Sequence, residues 1–393
     1  MADVVVVGGG LIGALAALGV ADGGRRVTVL ERREPERQRG RLGVDIRNVA
    51  VSPASRELLE AVGVWSSLEP AAYQRMEVWE ERGTRGMHFD AAEVGRAELG
   101  WILESSQVVR SLWDLLQRHR NVRLEVGADL ASLRLAASGA VLETDRGDIR
   151  ARLVVAADGA RSRVRELLAV PAEEAPTGHH ALATVVRTEQ EHEGTCLQRF
   201  LLEGPLALLP TADAHLSSVV WSQPAEEAER RAKEPDGDFC LELERCLEAR
   251  FGKVEAVDAR VVFPLAQTLV STFNPHHRVL LIGDAARVVH PLAGMGANIG
   301  FEDVRDLLAE LAGIGGDQDP GAPGIWRRFA RQRRLRSQMV LALMSGFRRA
   351  YSADGPLASW VRNTGVGWLD RAQPLKAQIM REALGVGPLA RRW

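Results

Sequence analysis

The sequence predicts an α/β fold: a Rossmann-like parallel sheet, interrupted by an inserted β-rich domain and followed by a C-terminal helical region. Three observations predict it. A β-branched run, VVVV at 4–7, meets a glycine-rich turn and then an apolar helix. A second buried-strand pattern of the same kind, RVLLIGD, arrives only at 278–284. Between the two, the pattern becomes that of short strands with one charged stretch of helical character.

The opening run is apolar at every position, as expected of a parallel strand covered on both faces. A helix from Leu11 to Ala21 and a strand RVTVLE complete a βαβ unit. Residues 4–21 carry no charge and are just long enough to suggest a membrane span. Three consecutive glycines divide that run, however, and Asp3 stands where a signal peptide would carry basic residues. The expectation is a buried βαβ start in a soluble, cytoplasmic chain. A helix near 106–118 opens with serines and repeats apolar residues at 108, 112, 115 and 116. Short strands follow over 122–157, and 179–263 reads as mostly β with a charged helical insert at 225–250. Residues 313–324, GIGGDQDPGAPG, form a loop by composition. The pattern divides the chain into a discontinuous nucleotide-binding domain (1–72, 101–178 and 264–312), an inserted domain (73–100 and 179–263) and a helical region (325–393).

At 393 residues the chain can bury a large core. Its net charge of −2 gives no basic field for nucleic acid. Cys196, Cys240 and Cys246 form neither a CxxC pair nor a zinc spacing, which points to a reducing compartment and to no metal site.

Three motifs carry the chemistry. Gly8-Gly9-Gly10-Leu11-Ile12-Gly13 is a G-x-G-x-x-G between a strand and a helix. Its glycines let the backbone approach a pyrophosphate, and the helix start offers unpaired N–H groups and a positive dipole end. Glu31 ends the next strand, where an acid favours an unphosphorylated adenosine ribose, as in FAD or NAD. The second motif, AADGARSRVR at 156–165, ends a strand at Asp158-Gly159 and taken alone reads as an ordinary turn. In the third, IGDAARVVHPLAGMGANIGFED at 282–303, Asp284 stands at the carboxyl edge of a strand. Gly294, Gly296 and Asn298 then precede a helix with apolar residues at 301, 304, 308 and 311. That helix would aim its positive end at a reduced flavin.

In this order the three motifs resemble those of the FAD-dependent aromatic-ring hydroxylases, the class of p-hydroxybenzoate hydroxylase. The resemblance implies a three-layer ββα FAD-binding domain with the inserted domain as substrate domain. It assigns Gly8, Gly10, Gly13 and Glu31 to the ADP half of FAD, Asp158 to FAD and NAD(P)H, and Asp284 to flavin ribose or ribityl oxygens. Arg47 and Arg110 sit where that family has flavin-contacting arginines. DIRNVAVSPASRELLEAVGVW, GPLALLP, HPLAGMGANIGFED and the C-terminal tail are most similar to the branch that hydroxylates the ring in ubiquinone biosynthesis. The likeness runs from residue 3 to about 386. One departure lies in the third motif, where Met295 and Ala297 replace a glutamine and a leucine usual in that branch, and this bears on the choice of ring.

The resemblance therefore implies a monooxygenase that uses FAD, NAD(P)H and dioxygen to hydroxylate a polyprenylphenol. The cofactor carries the hard chemistry and the protein binds and orients. His290, Pro291, Gly294 and Gly296 are expected to form the flavin-facing wall, with Met295, Ala297 and Asn298 beside them. His290 is either a proton relay or a structural histidine. A single G-x-G-x-x-G implies that NAD(P)H docks transiently, with no domain of its own. Trp79, Trp101, Phe200 and Trp221 are candidates for a substrate pocket, core packing being the alternative for each. Residues 325–349, rich in arginine, read either as a basic helix in peripheral contact with the inner membrane or as a solvated charged face. Work within a ubiquinone-biosynthesis complex is a further expectation. The competing readings are a flavin hydroxylase of a soluble aromatic, a non-catalytic flavin-binding assembly subunit and a plain NAD dehydrogenase.

Overall fold

The computed structural model describes residues 1–36, 38–81, 86–289, 295–316, 318–352 and 378. Five parallel strands form the heart of the first sheet, in the order Val122–Val126, Val27–Glu31, Ala2–Val7, Gly147–Ala156, Val279–Leu281. An antiparallel meander of Leu130–Ala136 and Gly139–Thr144 joins the start of the Gly147–Ala156 strand. The chain thus returns to the first sheet after a long excursion, and the strand before Asp284 docks beside the strand before Asp158.

The uncharged N-terminal run is accounted for by burial inside protein. Val4, Val5 and Val6 are fully buried, and so are Ala14, Leu15, Ala16 and Ala17 on the Leu11–Asp22 helix. That helix is apolar on all sides because it lies between the sheet and the helices Ser105–Arg118 and Met295–Ala312. Among the described residues no helix is long and apolar enough to cross a membrane.

The second sheet has nine strands and is mostly antiparallel. Its longest members, Ala172–Thr188 and Val261–Val270, pair with each other and bulge between Pro176 and His180. Both run unbroken through positions 178/179 and 263/264, where the sequence pattern changes. The charged insert forms two helices, Ala225–Lys233 and Asp236–Cys246, separated at Pro235, whose missing N–H suits a helix start. Phe239 and Leu243 are buried with Trp221 in a core of their own. A small third sheet, Asn48–Val51, Gly100–Glu104 and Ala71–Tyr73, packs between the Met295–Ala312 helix and the Gly204–Pro210 strand of the second sheet.

The last described helix, Arg327–Ser352, buries Phe329, Arg333, Ser337 and Val340, a single stripe at helical spacing. Part of the arginine cluster is therefore internal: Arg333 is 1 % exposed and held by three carboxylates, those of Glu302, Asp303 and Asp306.

Candidate active site

Two clefts open on the carboxyl side of the parallel strands, of about 570 and 600 Å³. The first takes in Gly8, Gly10, Glu31 and Asp158. The second runs from Gly10, Asp284 and Ala297 across to Tyr73, Met76 and Gln198 on the sheets. Gly10, Ala157 and Gly159 line both, so the clefts meet at the glycine-rich turn. The result is one elongated path from Glu31 to the nine-stranded sheet.

Each glycine of the first motif has a separate reason to be glycine. Gly8 has φ of +101°, and a side chain there would collide with the carbonyl of Ala157. A side chain at Gly13 would run into the carbonyl oxygen of Gly8, so the helix packs directly on the turn. At Gly10 a Cβ would meet nothing within 4 Å, and its backbone faces open cleft. No side chain caps the helix that starts here and no acid occupies its first turn, which leaves its N–H groups for an anion. Trp113 fixes the turn from behind, its indole N–H donating to the carbonyl of Gly9 over 2.7 Å.

Glu31 sits at the rim, its Oε2 accepting from the N–H of Gly9 at 2.6 Å and its Oε1 from that of Arg32 at 2.7 Å. Oε1 also accepts from the N–H of Arg33 at 3.3 Å, so it is Oε2 that keeps a lone pair for a ribose hydroxyl. Asp158 accepts from the N–H of Val164 through Oδ2, at 3.1 Å, while its buried Oδ1 has no partner among the described residues. A buried carboxylate oxygen left open at the edge of a cleft is a place for a ligand's donor. Arg47 and Arg110 line neither cleft. Arg47 donates to Gln38, and Arg110 to the carbonyl of Pro35 beside an ion pair with Asp114.

Asp284 follows the Val279–Leu281 strand in a single 3-10 turn, with Gly283 at φ +58°. Its carboxylate is exposed to the cleft but set deep among protein atoms. Desolvation pushes its pKa above the usual carboxylate value; Arg287 opposes the shift and Asp303 adds to it. The turn is held by Asp303, whose Oδ2 accepts from the N–H of Gly283 at 2.9 Å and from Arg287 at 2.6 Å.

The Met295–Ala312 helix begins over this turn, with Gly296 and Ala297 lining the second cleft. Asn298 spends its amide on the opposite wall: Oδ1 accepts from Ser52 and Ser55, and Nδ2 donates to the carbonyl of Ala50. It thereby anchors the strand carrying Asn48, Val49 and Ala50, which line the same cleft. His290, Pro291 and Gly294 lie outside the described residues, as does the side chain of Met295.

The four aromatic candidates line neither cleft. Trp79 and Trp221 are buried in the core under the nine-stranded sheet, against Arg250 and Arg231 respectively. Trp101 packs edge-on against Trp65, and Phe200 lines neither cleft. For Trp79, Trp101 and Trp221 packing wins because these rings lie on the faces turned away from the cleft, whereas Phe200 shares the face of Gln198 and stands beyond the end of the cleft. The wall is instead Tyr73, Met76, Leu209 and Val220, with Phe263 at the mouth. Strand alternation in TCLQRFL was the signal for the rest of it: Cys196 and Gln198 face the cleft, Leu197 and Arg199 chiefly the core behind. Burial pushes the Tyr73 phenol up, with Cys196 adding to the shift, and pushes the Cys196 thiol up likewise. Both stay protonated at neutral pH.

Comparison with known proteins agrees with this geometry. The family described as FAD binding domain matches residues 1–341. The chain is 32 % identical over 393 residues to ubiquinone hydroxylase UbiL of Rhodospirillum rubrum, covering 98 % of this chain and 90 % of that one. It is 31 % identical over 389 residues to the 3-demethoxyubiquinol 3-hydroxylase of Escherichia coli, covering 98 % of both. Among solved structures, p-nitrophenol 4-monooxygenase PnpA of Pseudomonas putida DLL-E4 superposes over 99 % of both chains with a TM-score of 0.77 at 19 % identity, a likeness of fold.

Proposed function

The chain belongs to the family of FAD-binding ring hydroxylases, and from that premise we propose that it uses NAD(P)H and dioxygen to hydroxylate the aromatic ring of a polyprenylphenol intermediate in ubiquinone biosynthesis. The observation that carries the reading is the joined pair of clefts. One end has the groups a dinucleotide needs, and the other is an apolar chamber with few polar atoms.

In this reading the N–H groups at Gly10 and the helix start hold the FAD pyrophosphate, and Glu31 takes the adenosine ribose. Asp158 offers its open oxygen at the junction of the clefts, and Asp284 takes a flavin ribose or ribityl hydroxyl. Gly296 and Ala297 open their helix onto the second cleft, where its positive end would stabilise negative charge on a bound flavin. Bound FAD supplies the activation of dioxygen. The protein holds the ring against it, and Ile102, Leu209 and Val220 keep water from that wall. Tyr73, protonated at working pH, is a neutral donor to a ring oxygen. NAD(P)H docks transiently over the clefts, since the sequence has one dinucleotide motif only.

A polyprenyl tail also gives the protein a reason to meet a membrane. The Arg327–Ser352 helix exposes Arg328, Arg331, Leu335 and Met339, a side fitted to an anionic lipid surface. Partner subunits of the pathway would share that surface.

The reading is tested by profiling quinone-pathway lipids in cells with and without the gene. Loss of ubiquinone with build-up of a prenylphenol one oxygen short supports it. An unchanged profile, in cells without a second hydroxylase, sends the search to soluble aromatics.

A further inference from the structure

We propose that Gln198 hydrogen-bonds an oxygen substituent of the substrate ring, and so decides which polyprenylphenol is accepted and how tightly its hydroxylation is coupled to NAD(P)H consumption. The inference rests on the function proposed above and adds a specificity-determining residue to it.

Gln198 lies in the middle of the Thr195–Leu201 strand, in the interior of the nine-stranded sheet. It is only 5 % exposed, and it lines the second cleft. Its side-chain amide makes no hydrogen bond to any described residue. Its amide is turned to the open cleft, so a ring that fills the cleft and displaces water must pair that amide or leave it unsatisfied. Here the neighbours cannot help. The strand partner on one side is Ala207, followed by Val220, and the flanking cleft residues are Met76, Cys196 and Leu209. Ala207 also keeps the space beside the amide open. The surroundings of the amide on this wall are largely apolar, so it is a hydrogen-bonding group that a ring held here would meet.

The chemistry of the amide matches a multiply oxygenated ring. It offers an acceptor and two donors in one plane, so it can accept from a phenol hydroxyl and donate to a neighbouring ether oxygen. Unlike a carboxylate it does not repel a phenolate, and it neither takes nor gives a proton at any working pH. Its effect therefore falls on recognition and orientation, with the proton chemistry untouched. A site built to hydrogen-bond a substrate oxygen discriminates strongly against a ring that lacks it, because the amide is then left bare.

The test compares FAD-loaded wild type with Gln198→Leu and Gln198→Met, on 2-geranylphenol and 2-geranyl-6-methoxyphenol as probes. With wild type, the methoxy compound is preferred. In the variants its kcat/KM falls by about tenfold or more, the preference collapses, and a larger share of NAD(P)H ends as hydrogen peroxide. Bound FAD and the pH profile stay as in wild type. Gln198→Met keeps the length of the side chain and gives the readout if the leucine variant loses its flavin. Active wild type with both variants within twofold in kcat/KM and coupling overturns this inference alone. Wild type that oxygenates neither phenol overturns the functional reading and this inference with it.

Discussion

Arg333 donates from Nε to Oδ1 of Asp303 over 2.6 Å, and both side chains are sealed from solvent, at 1 % and 0 % exposure. The other oxygen of Asp303 holds Arg287 and the N–H of Gly283, one residue before Asp284. One carboxylate thus links the last described helix, the helix over the second cleft and the turn that presents Asp284. Removing it takes from buried Arg287 the carboxylate it pairs with and from Arg333 one of three. Asp303→Asn is expected to cost about 3–5 kcal/mol, read as a lower urea midpoint, with FAD affinity falling alongside.

Glu302 belongs to the same cluster. Burial pushes its carboxyl up, but Arg333 and Arg336 outweigh that and hold it down at about 2, against an ordinary 4.5. A carboxyl with a depressed folded-state pKa contributes stability that is complete above about pH 4.5 and is lost as pH falls towards 2. Glu302→Gln should therefore be less stable than wild type at neutral pH, and its melting temperature should depend less on pH between those limits. Parallel pH profiles for the two proteins would remove Glu302 from the account.

Asp284 has the opposite sign. Its folded-state pKa is raised, so the stability it contributes is present below its unfolded value and disappears as pH rises through the folded one. The charged carboxylate is a cost to the folded state that a bound hydroxyl donor would offset. Asp284→Asn should leave the flavin-free protein at least as stable as wild type by thermal melting, yet weaken FAD by roughly tenfold or more. A destabilised apoprotein with wild-type FAD affinity would contradict the assignment.

Gly10 and Gly13 look alike in the sequence and should respond differently. Gly10 has room for a side chain until the cofactor arrives, whereas Gly13 has none. Gly10→Val is expected to fold, with normal far-ultraviolet circular dichroism, and to lose FAD affinity on the order of 100-fold. Gly13→Val is expected to lower the melting temperature of the apoprotein as well.

The exposed side of the Arg327–Ser352 helix gives a membrane prediction. Arg331→Glu should weaken sedimentation with phosphatidylserine vesicles by about fivefold or more, at roughly 1 kcal/mol per basic residue near the surface. Leu335→Glu should act in the same direction. Wild type that ignores such vesicles would confine the arginines to a solvated face.

These contrasts also mark how much of the protein is legible in its sequence. The βαβ start, the helix at 106–118 and the return to the parallel sheet at 278–284 follow from strong local signals, glycines and uninterrupted apolar runs, which burial on both faces demands. The Asp303–Arg333 link does not, because it joins residues thirty apart whose types are ordinary on helix surfaces. Read locally, Arg333 is one arginine of a basic run; only the packing of two helices makes it internal. The cleft wall was obscured for a related reason. Large aromatics draw the eye, but Trp79 and Trp221 were needed by the core, and the cleft is lined by the alternate residues of the same strands. Small side chains such as Ala207 and Val220 make the space, and a sequence gives them no emphasis.

The measurement that bears most directly on the central claim is a turnover of the FAD-loaded protein with NAD(P)H and 2-geranyl-6-methoxyphenol under oxygen-18 gas, with products read by mass spectrometry. A hydroxylated phenol carrying one oxygen-18 atom is expected, with NAD(P)H oxidised faster when the phenol is present. Unlabelled phenol returned intact, with NAD(P)H oxidation indifferent to its presence, would contradict it.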